Sequence, residues 1–383
     1  MIFAQLADFI HPEQFRRCVQ RYDGDYKVKG FSCWSQFLCM AFDQLTFRDS
    51  LRDVETCLRS RQDQLYHLGI RGEVSRSTLA DANRERDWRI YHDLAQSLIR
   101  RARSLYANEP FGLELQESVY ALDSTTIDLC LNLFPWARFR RTKGAIKLHT
   151  LLDLRGSIPT FISISRGKRA DVRVLDELAL EPGSFYVMDR GYLDFKRLYT
   201  FVLAMAFFVT RSKSHLQLSR LESRPVEAAT GVRSDQVVWL KNVSSIKHYP
   251  DKLRRIHYVD KETKKSLVFL TNNFELSALV VARIYKSRWK VELFFKWIKQ
   301  NLKIKHFYGT SENAVKTQIW ISICVYVLVS IAKKQLGSER SLHNILQILS
   351  VNAFEKVPLA EVFTNLPPQD LEGAICNQLA FNY

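Results

Sequence analysis

Residues 118–123 read Ser118-Val119-Tyr120-Ala121-Leu122-Asp123, and residues 185–189 read Phe185-Tyr186-Val187-Met188-Asp189. Each is a short apolar run closed by a carboxylate, the pattern of a buried strand with an acid at its end. Ala145–Leu154 and Ile158–Ser165 read as two further strands around the turn Arg155-Gly156-Ser157. Asp171–Leu180 reads as a helix, Pro182-Gly183 as a break, Asp194–Leu203 as a helix and Ala206–Thr210 as a fifth strand. Three strands, a crossover helix and then alternating elements predict a mixed α/β sheet.

Outward from that sheet the texture changes. After Arg211, Val237–Leu240, Arg255–Val259 and Ser266–Leu270 are short β-rich runs between charged turns, which predicts an antiparallel insertion. Glu275 then opens a helix reaching about Leu302, followed by apolar helices up to Leu349 and a less regular tail after Pro358. Upstream, Phe31–Phe47, Leu51–Leu65 and a segment from Ser75 through Leu105 read as helices, interrupted at Gly69 and Gly72. A short helix, a glycine turn and a longer arginine-bearing helix suit a helix-turn-helix reader, and an ordinary helical bundle is the alternative. The expected domains are a helical one at 1–112, an α/β domain in two parts at 113–210 and 273–350, the β-rich insertion at 211–272, and a tail at 351–383.

The 383 residues include 56 Lys+Arg against 40 Asp+Glu, a formal charge of +16 that points to a polyanionic partner. With 46% hydrophobic residues the chain can bury large cores, which excludes general disorder. Seven cysteines without a C-x-x-C pair fit a reducing compartment. Met1–Arg17 lacks the regions of a signal peptide, and the most apolar run, Ile319–Ala332, is short of the ~20 residues a bilayer span needs. A cytoplasmic protein with that run as a buried helix is expected, and no membrane partner. Phosphate-cradling glycine loops, H-E-x-x-H, zinc-like Cys/His spacing and G-x-S-x-G elbows are all missing. Of nine scattered histidines, only His149 falls near the acidic positions.

Those acids carry the chemistry. Neighbouring parallel strands lie about 4.8 Å apart, so Asp123 and Asp189 can aim at one point if their strands are adjacent. Two carboxylates with a third from a helix suit a two-metal site, since hard divalent ions prefer oxygen ligands. Asx-turns at strand ends are the plain alternative. In the long helix, at 100° per residue, Tyr285, Arg288, Glu292 and Lys299 fall within roughly 60° of arc. A charged stripe in a helix rich in Trp289, Phe294, Phe295 and Trp297 is expected to face a cleft.

Tyr285, Arg288, Glu292 and Lys299 form the pattern Y-x2-R-x3-E-x6-K, which resembles the signature of DDE transposases of bacterial insertion sequences, in particular insertion-sequence family four. The order Asp123, Asp189, Glu292 is similar to that family's catalytic triad, and the β-rich stretch before the glutamate is similar to its insertion. The resemblance runs from about Ser118 to Asn313. It implies an RNase H-like catalytic domain and cut-and-paste transposition. Two Mg²⁺ ions, or Mn²⁺ in their place, would sit on Asp123, Asp189 and Glu292. Tyr285, Arg288 and Lys299 would contact phosphate near the cut end. It further implies double-stranded DNA partners (element ends and target), a homodimer in the synaptic complex and a nucleoid-associated place in a bacterial cytoplasm. An endonuclease that does not join, and a non-catalytic DNA-binding protein, are the rival functions.

Basic residues cluster beside the expected site. Arg138, Arg140, Arg141, Lys143, Lys147, Arg155, Arg166, Lys168 and Arg169 lie in one stretch with a single acid, Asp153. Arg283, Lys286, Lys290, Lys296, Lys303 and Lys305 surround the signature. The residues expected on DNA are Arg140, Arg141, Lys143 and Arg190. Trp239 is expected to stack on a flipped base, as that family's insertion implies; a core role is its alternative.

Overall fold

The computed structural model describes residues 1–110, 112, 115–301 and 307–364. They fall into two compact units. One holds residues 102–300 and 310–312; the other holds 1–101 with 307–309 and the described residues from 313 onward.

The first unit is built on one nine-stranded sheet. Its strands are β1 (Val119–Leu129), β2 (Gly144–Asp153), β3 (Ile158–Arg166), β4 (Phe185–Met188), β5 (Phe207–Arg211), β6 (Leu218–Arg224), β7 (Val232–Leu240), β8 (Leu253–Val259) and β9 (Ser266–Thr271). Their order is β3-β2-β1-β4-β5-β9-β8-β7-β6. β1, β4 and β5 run parallel at the centre, and the flanks are antiparallel. The expected insertion is therefore antiparallel and extends the same sheet, joined at β5–β9. The central strands read as unbroken apolar runs because both of their faces are covered. On one face Tyr120, Leu122, Tyr186, Met188 and Phe208 pack against Val174, Leu198 and Phe201. The helix Ala278–Lys286 contacts β4, β5 and β7.

Between β2 and β3 the turn keeps Gly156 at φ +70 and Ser157 at φ +55. A Cβ on Gly156 would lie 2.3 Å from Tyr106 Cδ1, so the residue must be glycine for both reasons. Two expectations change in this unit. Asp171–Leu180 is a 3-10 helix over Asp171–Glu177. The helix expected over Glu275–Leu302 is two helices, Ala278–Lys286 and Trp289–Asn301. Ser277 caps the first by accepting from Val280 N. At its end Ser287 Oγ donates to the Ile284 carbonyl at 2.6 Å, competing for a group that the helix ladder would use. The lysines at 303 and 305 and the end at Leu302 lie outside the described residues.

The other unit is helical. Cys33–Thr46 is buried along nearly its whole length and capped by Ser32. The segment from Ser75 is not one helix but two, Arg76–Glu85 and Arg89–Tyr106. Asp87 marks the break, accepting from Arg89 N at 2.8 Å. Glu312–Gln335 is long and apolar enough to cross a membrane, yet 94% of its apolar window is buried inside the protein. Trp320 stacks on Trp88 with ring centres 6.5 Å apart, and Ser322 Oγ hydrogen-bonds Gln44 Oε1 at 3.0 Å. The C-terminal helices, expected beside the second part of the α/β domain, thus group with the N-terminal ones.

Candidate active site

The parallel pair β1–β4 decides where the two aspartates stand. Its register places Leu122 opposite Met188, so Asp123 and Asp189 follow at the same level. Side chains alternate along a strand, so both aspartates leave on the face opposite the Leu122 and Met188 side chains. Asp123 is not at a strand end as expected. β1 continues to Leu129, paired beyond that point only with β2, while β4 stops at Met188.

The third carboxylate and its neighbours come from the broken helix. Tyr285 lies in the last turn of Ala278–Lys286, Arg288 in the break, and Glu292 and Lys299 on Trp289–Asn301. The side chains converge although the helix is not continuous. Arg288 Nη1 donates to Asp123 Oδ2 at 2.8 Å, and its Nη2 donates to Glu292 Oε1 at 2.5 Å. Tyr285 donates its hydroxyl to Asp189 Oδ1 at 3.2 Å, and its ring packs on Phe269 with centres 4.7 Å apart. Lys299 Nζ donates to the Thr126 carbonyl of β1 at 3.1 Å. Tyr285, expected on phosphate, is buried here with its hydroxyl on Asp189.

Burial pushes the Asp123 carboxyl above its ordinary value, against the opposing pull of Arg288. Burial likewise raises the Tyr285 phenol to about 12, so it stays a hydrogen-bond donor at neutral pH. Desolvation disfavours the charge on Arg288, but Tyr285, Asp123 and Glu292 more than offset it and hold the guanidinium charged. Glu292 is more open, with 57% of its side chain exposed against 22% for Asp123. Among the described residues, no three His, Cys, Asp or Glu side chains are grouped closely enough to hold an ion as they stand. The donor set is nevertheless all carboxylate oxygen, the chemistry hard divalent ions take. The guanidinium between Asp123 and Glu292 shows that this place holds a cation.

The basic residues divide. Arg140, Arg141 and Lys143 are exposed in the turn between β1 and β2, and Arg190 is exposed beside Asp189. Lys147, Arg155, Arg169 and Lys286, expected in DNA-facing clusters, have partners within the chain. Lys147 pairs with Asp171 at 3.0 Å, Arg155 donates to the Ala107 carbonyl at 2.7 Å, Arg169 pairs with Glu177, and Lys286 pairs with Glu262 at 2.8 Å. Trp239 is not brought to the carboxylates. It lines a cleft of ≈530 Å³ with Phe207, Tyr249, Asn272 and Phe274. Phe207 starts β5 and Arg211, near Asp189, ends it, so the cleft lies at the other end of the strand.

Sequence reasoning missed two residues. Arg211 Nη1 lies 3.8 Å from Asp189 Oδ1, and only the β5 end that follows Thr210 hinted at it. Trp289 is 48% exposed one turn before Glu292, where a packed residue was expected. His149 is fully buried, hydrogen-bonded to Ser165 Oγ at 2.9 Å and paired across strands with Ser124. It therefore sits on the face opposite Asp123, and burial lowers its pKa to about 4.

The candidate site is thus two acids at the same level on neighbouring parallel strands, with Arg288 tying a helical glutamate to one of them. Residues 114–328 match the family described as Transposase DDE domain, and the chain belongs to it. Residues 1–71 match a Domain of unknown function (DUF4372). A protein of Sinorhizobium fredii named as a transposase is 32% identical over 67% of this chain and 71% of its own length. One of Geobacillus stearothermophilus, named as the transposase of insertion sequence element IS5377, is 31% identical over 57% of each chain. One of Synechocystis, named for element IS4SA, is 25% identical over 71% of this chain and 76% of its own. The cryo-EM structure of a piggyBac transposase synaptic complex with hairpin DNA is similar over 97% of this chain and 86% of that one, with 11% identity and a TM-score of 0.45. The protein is a DNA transposase, an enzyme of insertion sequences, as the signature implied.

Proposed function

We propose that this transposase binds the terminal inverted repeats of its element, cuts there, and joins the freed ends to target DNA. Asp123, Asp189 and Glu292 are the catalytic carboxylates and would hold two Mg²⁺, or Mn²⁺. The observation that carries this reading is the single guanidinium shared by Asp123 and Glu292, with Asp189 at the level of Asp123 on the next strand. Ions held by these three carboxylates would supply activation of a water or 3′-hydroxyl and stabilisation of the leaving oxygen.

The chain's own residues do the rest. Tyr285 fixes the rotamer of Asp189 from behind. Arg288 and Lys299 grip phosphate at the reacting end, and the exposed ring of Trp289 supplies a face for a base freed from pairing. Arg140, Arg141, Lys143 and Arg190 track the duplex backbone as sequence-independent contacts. The helical unit reads the repeat sequence. Two copies act together in the synaptic complex, at the nucleoid of a bacterial cytoplasm.

The test is incubation with DNA carrying the element's flanking ends, with and without Mg²⁺, alongside Asp123→Ala. Metal-dependent nicking and strand-transfer product from the wild type, with binding but no product from the variant, is the expected result. Nicking without transfer would make it an endonuclease. Binding alone, equal for both proteins, would make it a non-catalytic DNA-binding protein.

A further inference from the structure

Arg288 is committed to two groups that the metal-ligand reading needs. Both outer nitrogens of the fork are used, on carboxylates from a strand and from a helix. Only 16% of the side chain is exposed, and Cζ lies 5.8 Å from the centre of the Tyr285 ring. Nε is buried with no hydrogen-bond acceptor among the described residues. Taking this cation away leaves two negative groups facing each other, one of them, Asp123, already disfavoured as an anion by burial.

We infer that Arg288 makes metal loading conditional on DNA, holding Asp123 and Glu292 until a phosphate draws the guanidinium away. This rests on the reading of Asp123, Asp189 and Glu292 as metal ligands. An arginine fork pairs as well with phosphate as with carboxylate, so the exchange keeps its hydrogen bonds. A divalent ion cannot use the same carboxylate oxygens while the guanidinium holds them, because it meets a like charge in a poorly solvated place. DNA and metal therefore both favour the state in which Arg288 has turned outward. By linkage, DNA raises metal affinity and metal raises DNA affinity by the same factor. The turn at Ser287 and Arg288, between the two helices, is where the chain can absorb that movement. Off DNA, the enzyme holds its carboxylates closed and activates no water.

The test is Mn²⁺ binding followed by electron paramagnetic resonance, with and without a blunt duplex oligonucleotide, and with ions held by the duplex alone subtracted. Wild type is expected to bind Mn²⁺ roughly tenfold or more tightly with duplex, within the usual range of allosteric coupling. Arg288→Gln should bind Mn²⁺ without duplex about as tightly as wild type does with it, and gain little more from duplex. Arg211→Gln removes the same charge near Asp189 without breaking the bridge, and should keep the duplex dependence. If Arg288→Gln retains the full dependence, or binds Mn²⁺ no more tightly, the inference is overturned. Should that variant fail to fold, Arg288→Met decides by the same criterion, because its unbranched side chain fills the space without a charge or a hydrogen bond to either carboxylate. Asp123→Asn and Glu292→Gln separate the two ideas. If neither weakens Mn²⁺ binding to duplex-bound protein, the metal-ligand reading itself has failed; if both do while Arg288→Gln changes nothing, only the conditional loading has.

Discussion

Leu122 and Met188 face each other across two parallel strands, and that register pair sets Asp123 beside Asp189. Both apolar residues are fully buried, so the level of the two acids is fixed by the core beneath them. A slip of one residue in either strand would send one carboxylate to the opposite face of the sheet. Glu292 is held differently, through a helix that starts just after a break. Two of the three acids thus share the stiffness of the sheet, and the third depends on Arg288 for its place.

Tyr285→Phe keeps the ring on Phe269 and deletes only the hydroxyl that reaches Asp189. Stability should change by about 1 kcal/mol or less. Nicking should slow by about tenfold or more, as for other groups that orient metal ligands, while DNA affinity stays level. Rates and affinities measured on the same preparation check this. Weaker binding with an unchanged rate would restore the phosphate contact expected from sequence.

Replacing Arg140, Arg141 and Lys143 together with Ala should flatten the salt dependence of DNA binding. Each lost phosphate contact lowers the slope of log K against log salt by about 0.9. Arg155→Ala is the contrast. Its guanidinium ties down the Ala107 and Gln116 carbonyls, so its loss should lower the melting point and leave the slope alone.

His149 should make the fold sensitive to mild acid. Its folded pKa, about 4, lies below the ordinary 6.5, so the unfolded chain takes up the proton first. The stability it contributes is complete above about pH 6.5 and is lost as pH falls towards 4, up to about 3 kcal/mol at 1.36 per unit. His149→Gln should remove this loss. Urea midpoints of both proteins at about pH 7.5 and about pH 4.5 decide it. Asp123 and Asp153, raised by burial, act in the opposite direction but equally in both proteins.

Arg254 and Asp235 form a buried bidentate pair at 2.9 and 2.7 Å, with side chains 1% and 5% exposed. Arg254 also holds the Leu276 carbonyl at 2.6 Å, one residue before the cap of the helix that carries Tyr285. Arg254→Ala should cost about 3–5 kcal/mol, since it strands a buried carboxylate. Pairing Arg254→Met with Asp235→Leu should recover most of that. Denaturant unfolding of the single and double variants is the measurement, and equal losses in both would refute the pair's role.

The sheet and its acids were legible because buried parallel strands are uninterrupted apolar runs, and a carboxylate directly after such a run stands out. The signature positions were legible as spacing, but their partners were not. Angular arithmetic assumed one helix, whereas Ser287 ends the ladder locally by bonding to a carbonyl, a choice its hydroxyl alone does not announce. Runs of arginine and lysine show charge without showing who answers it. Asp171 and Glu177, just past the end of the basic stretch, pair with Lys147 and Arg169, a pairing that the run of charge alone did not show. The place of Trp239 was hidden for a similar reason, because a strand read from sequence does not reveal which of its ends lies near the carboxylates.

The helix Glu312–Gln335 packs among side chains made long before it in synthesis, Trp88 and Gln44 among them. A ribosome adding about 5–20 residues per second needs on the order of ten seconds or more to travel from Arg101 to Asn313. Throughout that interval the nascent N-terminal helices have no Trp320 to stack on and no Ser322 to bond. They cannot finish folding on the ribosome while the catalytic strands emerge behind them. A message cut short after Glu292 would deliver all three acids attached to a helical unit without its central helix, so that unit needs chain from both sides of the catalytic strands.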